Sequence, residues 1–170
     1  LKVLMVKENQ GEVVANNAAL SQDEAGHISI ELDKVKGKDK TDLSDRILIG
    51  ENFDGEAYIM KEKINDYREF LMGYVDEEDT RIREALSKIL DTSDPPPIEG
   101  HEKKEWEVKH FYGIPLAAVL PIMSKLQADV RNAESEVIQY LLKQIDAGSF
   151  AFNKLEATVI PNSNYVIQGN

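Results

Sequence analysis

The sequence predicts a mainly α protein: a helical bundle domain over residues 1–148, then, over 149–170, the first strands of a truncated strand-rich domain. Three observations carry that reading. Apolar residues recur at alternating spacings of four and three along 56–75 and again along 119–140, the signature of helices with one buried face. A run of three prolines, Pro95 to Pro97, separates these stretches as a stiff loop, because successive prolines lack amide donors and restrict the residue before each. Past residue 148 the period changes from helical to alternating.

The elements follow in order. Leu1, Leu4 and Met5 share a helical face, and "LKVLMVKE" reads as a helix already in progress. The chain is therefore taken as a fragment, with any signal peptide or membrane anchor lying upstream. "VVANNAALSQDEAG" is read as a short helix closed by Gly26. "HISIEL" alternates, with Ile28, Ile30 and Leu32 on one side, and suits a short strand. "KVKGKDKTD" is a charged loop, and "DLSDRILIG" gives one or two turns closed by Gly50.

Met60, Ile64, Tyr67, Leu71 and Tyr74 mark an amphipathic helix from about Glu56 to Val75. After "DEED", Asp79 or Thr80 is placed to cap a second helix through its side-chain oxygen, with Ile82, Leu86 and Ile89 buried. "EKKEWEVKHFYG" is a shorter helical segment anchored by Trp106 and Phe111. Val119, Met123, Leu126, Val130, Ala133, Val137 and Tyr140 then form the seam of a long helix. Pro115 suits its first turn. Pro121 removes an internal hydrogen bond, so the helix either kinks there or becomes regular only from there. Phe150, Phe152, Leu155, Ala157 and Val159, then "NYVIQG", read as strands punctuated by "PNSN". Strands in so short a stretch cannot make a stable sheet alone.

Composition excludes several function classes. A chain of 170 residues with 42% hydrophobic and 30% charged side chains supports a core and is not disordered. The 31 acidic against 20 basic residues, a net charge of -11, argue against a nucleic-acid or anionic-lipid surface. The absence of cysteine removes disulfides, thiolate metal sites and a cysteine nucleophile. The longest apolar run, Gly113 to Met123, is about half the ~20 residues that a bilayer span needs, and Lys125, Asp129 and Arg131 follow at once.

The candidate chemistry is thin. His27, His101 and His110 offer no ligand spacing, and "HEKKE" at 101–105 lacks the second histidine that would set two imidazoles on one helical face. "GENFDGE" places Asn52, Asp54 and Gly55 like part of a calcium loop. Gly50 and Lys61 then stand where Asp and Glu are required, so the match fails and a turn before a helix remains. The acidic run Asp76 to Asp79 suits a helix N-terminus. No nucleophile elbow, phosphate loop or dinucleotide fingerprint occurs. No catalytic, cofactor-binding or metal residue is assigned, no interaction residue is named, and no cofactor is expected. The apolar start of the long helix, with Leu116, Val119, Leu120, Ile122 and Met123 on all its sides, is read as core, with a subunit interface as the alternative.

"GIPLAAVLPIMSKLQADVRNAESEVIQYLL" followed by "FNKLEATVIPNSNYVIQGN" resembles the GldM/PorM family of gliding-motility and type IX secretion proteins of Bacteroidota. "GKDKTDLSDRILIG" and "EKINDYREFLMGYV" resemble its middle helices in kind and order. The resemblance implies an inner-membrane protein with one membrane helix near its N-terminus and a large, dimeric periplasmic part, helical first and strand-rich after. It implies pairing with a polytopic inner-membrane partner of the GldL/PorL type in a proton-driven motor, and reach toward outer-membrane-associated ring components through domains absent here. The charged residues thought to couple proton flow would lie in membrane helices this chain lacks, so none is carried over.

Two functions follow as expectations. One is a non-enzymatic, force-transmitting structural subunit that acts as a homodimer and is anchored upstream in the inner membrane. The other is a self-contained helical adaptor that grips a polypeptide in a groove beside the 119–140 helix. At the seam, Leu126→Asp is expected to lower the melting temperature sharply, because it places a charge in packing.

Overall fold

A computed structural model describes residues 1–3, 5–6, 19–97 and 104–152, the last six as backbone only. Within them the fold is mainly α, with one small antiparallel hairpin. Strand β1 (Leu20–Gln22) pairs with β2 (Ile28–Ile30), Leu20 opposite Ile30 and Gln22 opposite Ile28. Helix α1 (Asp42–Ser44) runs into a π-helical turn, Asp45–Ile49. Then come α2 (Glu56–Met72), α3 (Thr80–Ile89), α4 (Trp106–Phe111) and the long α5 (Leu116–Phe152).

The hairpin corrects one expectation. The residues read as the end of a helix closed by Gly26 are instead strand β1 and its turn. The φ of Gly26, 85°, closes the hairpin turn rather than a helix. Asp23 fastens that turn by accepting the His27 amide at 2.8 Å and sitting 3.0 Å from the His27 ring. These hydrogen bonds, the His27 amide's first, hold the Asp23 carboxyl below its ordinary value. Local hydrogen bonding of this kind favours turns over helix. The β2 alternation is as the sequence predicts, yet Ile28 and Leu32 stay exposed, because the hairpin lies at the periphery.

Helices α2 and α5 run parallel. Their rungs are Met60 beside Leu126, the Tyr67 hydroxyl on Glu134 Oε1 at 2.7 Å, and the Tyr140 hydroxyl on Asp76 Oδ2 at 3.0 Å. Helix α3 returns antiparallel to α2: Arg83 donates to the Met72 and Val75 carbonyls, each at 3.1 Å, and Arg68 to the Leu90 carbonyl at 3.3 Å. Those arginines satisfy the orphan carbonyls at helix ends. Asp79 is the N-cap residue of α3, but its side chain makes no cap hydrogen bond, contrary to the sequence expectation. Tyr74, placed on the buried face by periodicity, is exposed, because α2 stops at Met72 and Val75 turns inward instead.

The start of α5 explains the "KGKDK" loop. The Leu116 and Ala117 amides, which have no partner inside the helix, donate to the Lys40 and Lys38 carbonyls at 3.0 Å each. Helix α5 begins upstream of Pro121 and continues through it. Pro121 has no amide to give the Ala117 carbonyl, but both residues are on the exposed side of the helix. At the far end α5 extends through Phe152, so Phe150 and Phe152 are helical rather than strand. The strand expectations from residue 153 onward lie outside the described residues.

The interior divides into two clusters. The proximal one gathers Met5, Val6, Val35, Leu48, Trp106, Phe111, Leu116, Val119 and Met123 from almost every element. The distal one is built by α2, α3 and α5 alone, through Ile64, Leu71, Leu86, Ala133, Val137 and Tyr140 with neighbours. Met60 and Leu126 touch both.

A candidate interaction face on α2 and α5

Polar pairs pin the helices in register. Lys61 on α2 donates to Asp94 Oδ1 at 2.9 Å and to Glu107 Oε2 at 3.1 Å. Asp94 also accepts the first amide of α4, from Trp106, at 3.0 Å. One carboxylate thus ties α2, the proline-run loop and α4 together. Burial alone would lower the Lys61 ammonium, but the hydrogen bonds it donates to Asp94 and Glu107 override that and hold it above its ordinary value. Glu107 itself is 3% exposed, and the Lys61 ammonium is its ion-pair partner. Beside it the Tyr58 hydroxyl donates to Glu105 at 2.9 Å, and burial followed by that carboxylate raises the phenol.

At the distal end Tyr140 sits among the acidic run. Asp79, then burial, then Asp76 push its phenol up to about 12, against the phenol's ordinary 10.0. Gln144 completes this cluster, donating to Tyr140 at 2.6 Å and to Asp76 at 3.2 Å. The acidic run is therefore partly a tether for α5 as well as the lead-in to α3.

The histidines are scattered. His27 is on the hairpin turn, His110 sits with Nδ1 2.7 Å from the Trp106 carbonyl, and His101 lies outside the described residues. Among the described residues no group of three or more His, Asp or Glu side chains could hold a metal ion. Nor is any helix among them long and apolar enough to cross a membrane.

What stands out is a surface. A groove of about 410 Å³ runs between α2 and α5, floored by Met60, Ile64, Met123, Leu126 and Val130, with Leu1, Lys2 and Arg131 at its rim. It opens on the side carrying Ile59, Lys63, Tyr67 and Glu134. From Tyr67 an aromatic ladder continues along α2, with Tyr67 stacked on Phe70 at 5.9 Å and Phe70 edge-on to Tyr74 at 5.2 Å. From Glu134 successive turns of α5 bring Ile138, Leu142 and Ile145 to that side, 57%, 55% and 64% exposed. An apolar strip of this extent marks an interaction site more often than a free surface. Among the side chains that line it, Lys2, Lys63 and Arg131 outnumber Glu56 and Glu134, in a chain whose net charge is -11.

Sequence reasoning found the buried seam of α5 but missed this second stripe. The spacing of 138, 142 and 145 was legible as a helical face. Nothing in a single sequence shows which of two apolar faces lacks a covering helix.

Fold and site together define a helical bundle with an exposed apolar face among its described residues. Residues 11–144 match the model of the GldM N-terminal domain, and the chain belongs to the GldM family, which ties it to gliding motility and type IX secretion. No curated protein matches the chain. The family match begins well upstream of residue 111, where the resemblance was read most strongly, and it takes in the middle helices and the hairpin. The "VIPNSNYVIQG" segment lies beyond both the match and the described residues.

Proposed function

We propose that this chain is a non-enzymatic structural and force-transmitting subunit of a gliding-motility and type IX secretion machine. It is the helical periplasmic portion of a protein anchored in the inner membrane and works as a homodimer. The family match carries the reading. The architecture supports it: α5 passes through both clusters as one element, so load applied at either end is shared by every helix that packs on it. The exposed apolar face of α2 and α5 suits an isologous pair, because a twofold axis covers the same strip on both copies. Its partners are then a polytopic inner-membrane motor protein of the GldL/PorL type and, through further domains, outer-membrane-associated ring components.

Affinity purification of the tagged full-length protein from solubilised envelopes tests the assignment. Recovery of a polytopic inner-membrane protein together with outer-envelope components supports it, and recovery of soluble partners alone, or of none, overturns it. The groove between α2 and α5 favours a second reading, an adaptor that seats an amphipathic helix of a polypeptide partner over Met60, Met123, Leu126 and Val130. Soluble partners recovered through that groove would support this alternative.

A further inference from the structure

The loop between the π-helical turn and α2, residues 50–55, breaks three local rules at once. The turn that leads into it is π-helical, a form that is rare and concentrated at functional positions. Phe53 holds φ 58°, the left-handed region that a bulky side chain seldom adopts. Its ring is 58% exposed and belongs to neither hydrophobic cluster. Glycine or asparagine would make the same turn with less strain, so the fold alone gives no reason for an aromatic ring here.

The loop is also held firmly. The Gly55 amide donates to the Ile49 carbonyl at 2.8 Å, and the Gly50 amide to the Asp45 carbonyl at 2.9 Å. A side chain at Gly55 would collide with the Leu48 carbonyl, and one at Gly50 with Asp54 and the Gly55 amide. The Asp45 carboxylate in turn accepts the Gly113 amide at 2.7 Å, fastening the base of the loop to the start of α5. A ring presented on a rigid tip loses little entropy on binding. Beside it in the loop stand Glu51 and Asp54, both exposed and, among the described residues, in no ion pair.

We propose that Phe53 is the anchor of a protein-docking site, and that its partner is a polypeptide surface with an apolar, ring-sized pocket bordered by Lys or Arg. The aromatic supplies the buried contact and the two loop carboxylates select the cationic rim. Those same carboxylates disfavour an anionic lipid surface. The site lies on a different element from the α2 and α5 face and does not depend on dimerisation there.

Site-specific photocrosslinking tests it, with p-benzoylphenylalanine placed at position 53 of the full-length protein in its own cells and, as a control, at exposed Glu84 on α3. The expected result is one polypeptide adduct at 53, at least about tenfold above the control, the scale of a hot-spot side chain. The attachment should map to an apolar pocket flanked by Lys or Arg, and the yield should fall as salt rises. Yield equal to the control overturns the proposal, as does attachment to lipid, to a second copy of this chain or to a surface without basic residues. Phe53→Gly supplies the independent check. Its melting temperature should stay level or rise by up to about 2 °C, while recovery of the crosslinked partner falls at least about tenfold. A lower melting temperature would show that Phe53 serves the fold, and that too overturns the proposal.

Discussion

The two halves of α5 live in different surroundings. Around its first turns the hairpin, α1 with the π-helical turn, α2, α4 and the N-terminal residues pack against most of the apolar positions, so Phe111, Leu116 and Val119 have no exposed surface while Ala117 and Pro121 face out. Around its later described turns, among the described residues, only α2 and α3 with their adjoining turns pack, and Ile138, Leu142 and Ile145 face out. Two helices cannot wrap a third, so among the described residues a side of the distal half stays uncovered. The same apolar richness therefore means core at one end and a surface for use at the other.

If that contrast is right, the proximal cluster should be the least forgiving place in the molecule. Phe111→Ala removes a fully buried ring that stacks edge-on with Trp106 at 5.7 Å. It should cost about 3–5 kcal/mol and lower the melting temperature by roughly 10 °C or more, read by circular dichroism. A loss below about 1 kcal/mol would mean that the proximal cluster is loosely packed. Leu126→Asp strikes the junction of the clusters. Leu126 is half-buried on the groove wall, so its carboxylate can reach water, and the expected loss is smaller, about 1–3 kcal/mol.

Much of this contrast was legible in the sequence, for a physical reason. Helical faces are local patterns, so the seam from Val119 to Tyr140, the α2 face through Ile64 and Leu71, and the anchors Trp106 and Phe111 all land where periodicity sets them. The misses are those a tertiary or hydrogen-bonded partner decides. Leu20 to Gln22 became strand because β2 was available to pair, and Phe150 with Phe152 stayed on α5 although their alternation suited a strand. The Lys38 and Lys40 carbonyls cap α5 through backbone atoms, which carry no sequence signal. The Lys61, Asp94 and Glu107 group spans segments far apart in the chain, and a net acidic sequence offers too many such combinations to choose among.

Alkaline titration sharpens the comparison at intermediate effect. In the distal half, Tyr140 is raised from 10.0 to about 12 by Asp79, burial and Asp76, and Tyr67 is raised by Glu134 and burial. A raised phenol stabilises the fold in full below the unfolded value, and that contribution is lost as pH climbs through the folded one. Lys61, raised above 10.5, loses its contribution in the same direction at the proximal side. Stability should therefore hold to about pH 10 and fall above it. In Tyr140→Phe the fall between pH 10 and 12 should be shallower, as measured by urea midpoints across that range. An unchanged slope would mean that Tyr140 does not couple α5 to the acidic run.

The smallest effect on stability should come with the largest effect on assembly. Leu142→Asp and Ile138→Asp alter side chains that already face water, so each should shift stability by no more than about 0.5 kcal/mol. If a second copy covers the strip, the same carboxylate would be forced into an apolar contact between two chains that each carry a net charge of -11. The dimer should then dissociate at concentrations where the parent is paired, as read by light scattering on a sizing column. Because the fold stays intact, that loss cannot be blamed on unfolding. Arg131→Glu provides the matched charge test: it reverses a charge at the rim without touching the apolar contact, so it should weaken pairing less than Leu142→Asp and do so more at low salt than at high. Dimers that persist in all three variants would move the interface elsewhere and leave the strip to another partner. Weakening by Arg131→Glu alone would show that charge rather than the apolar strip holds the copies together.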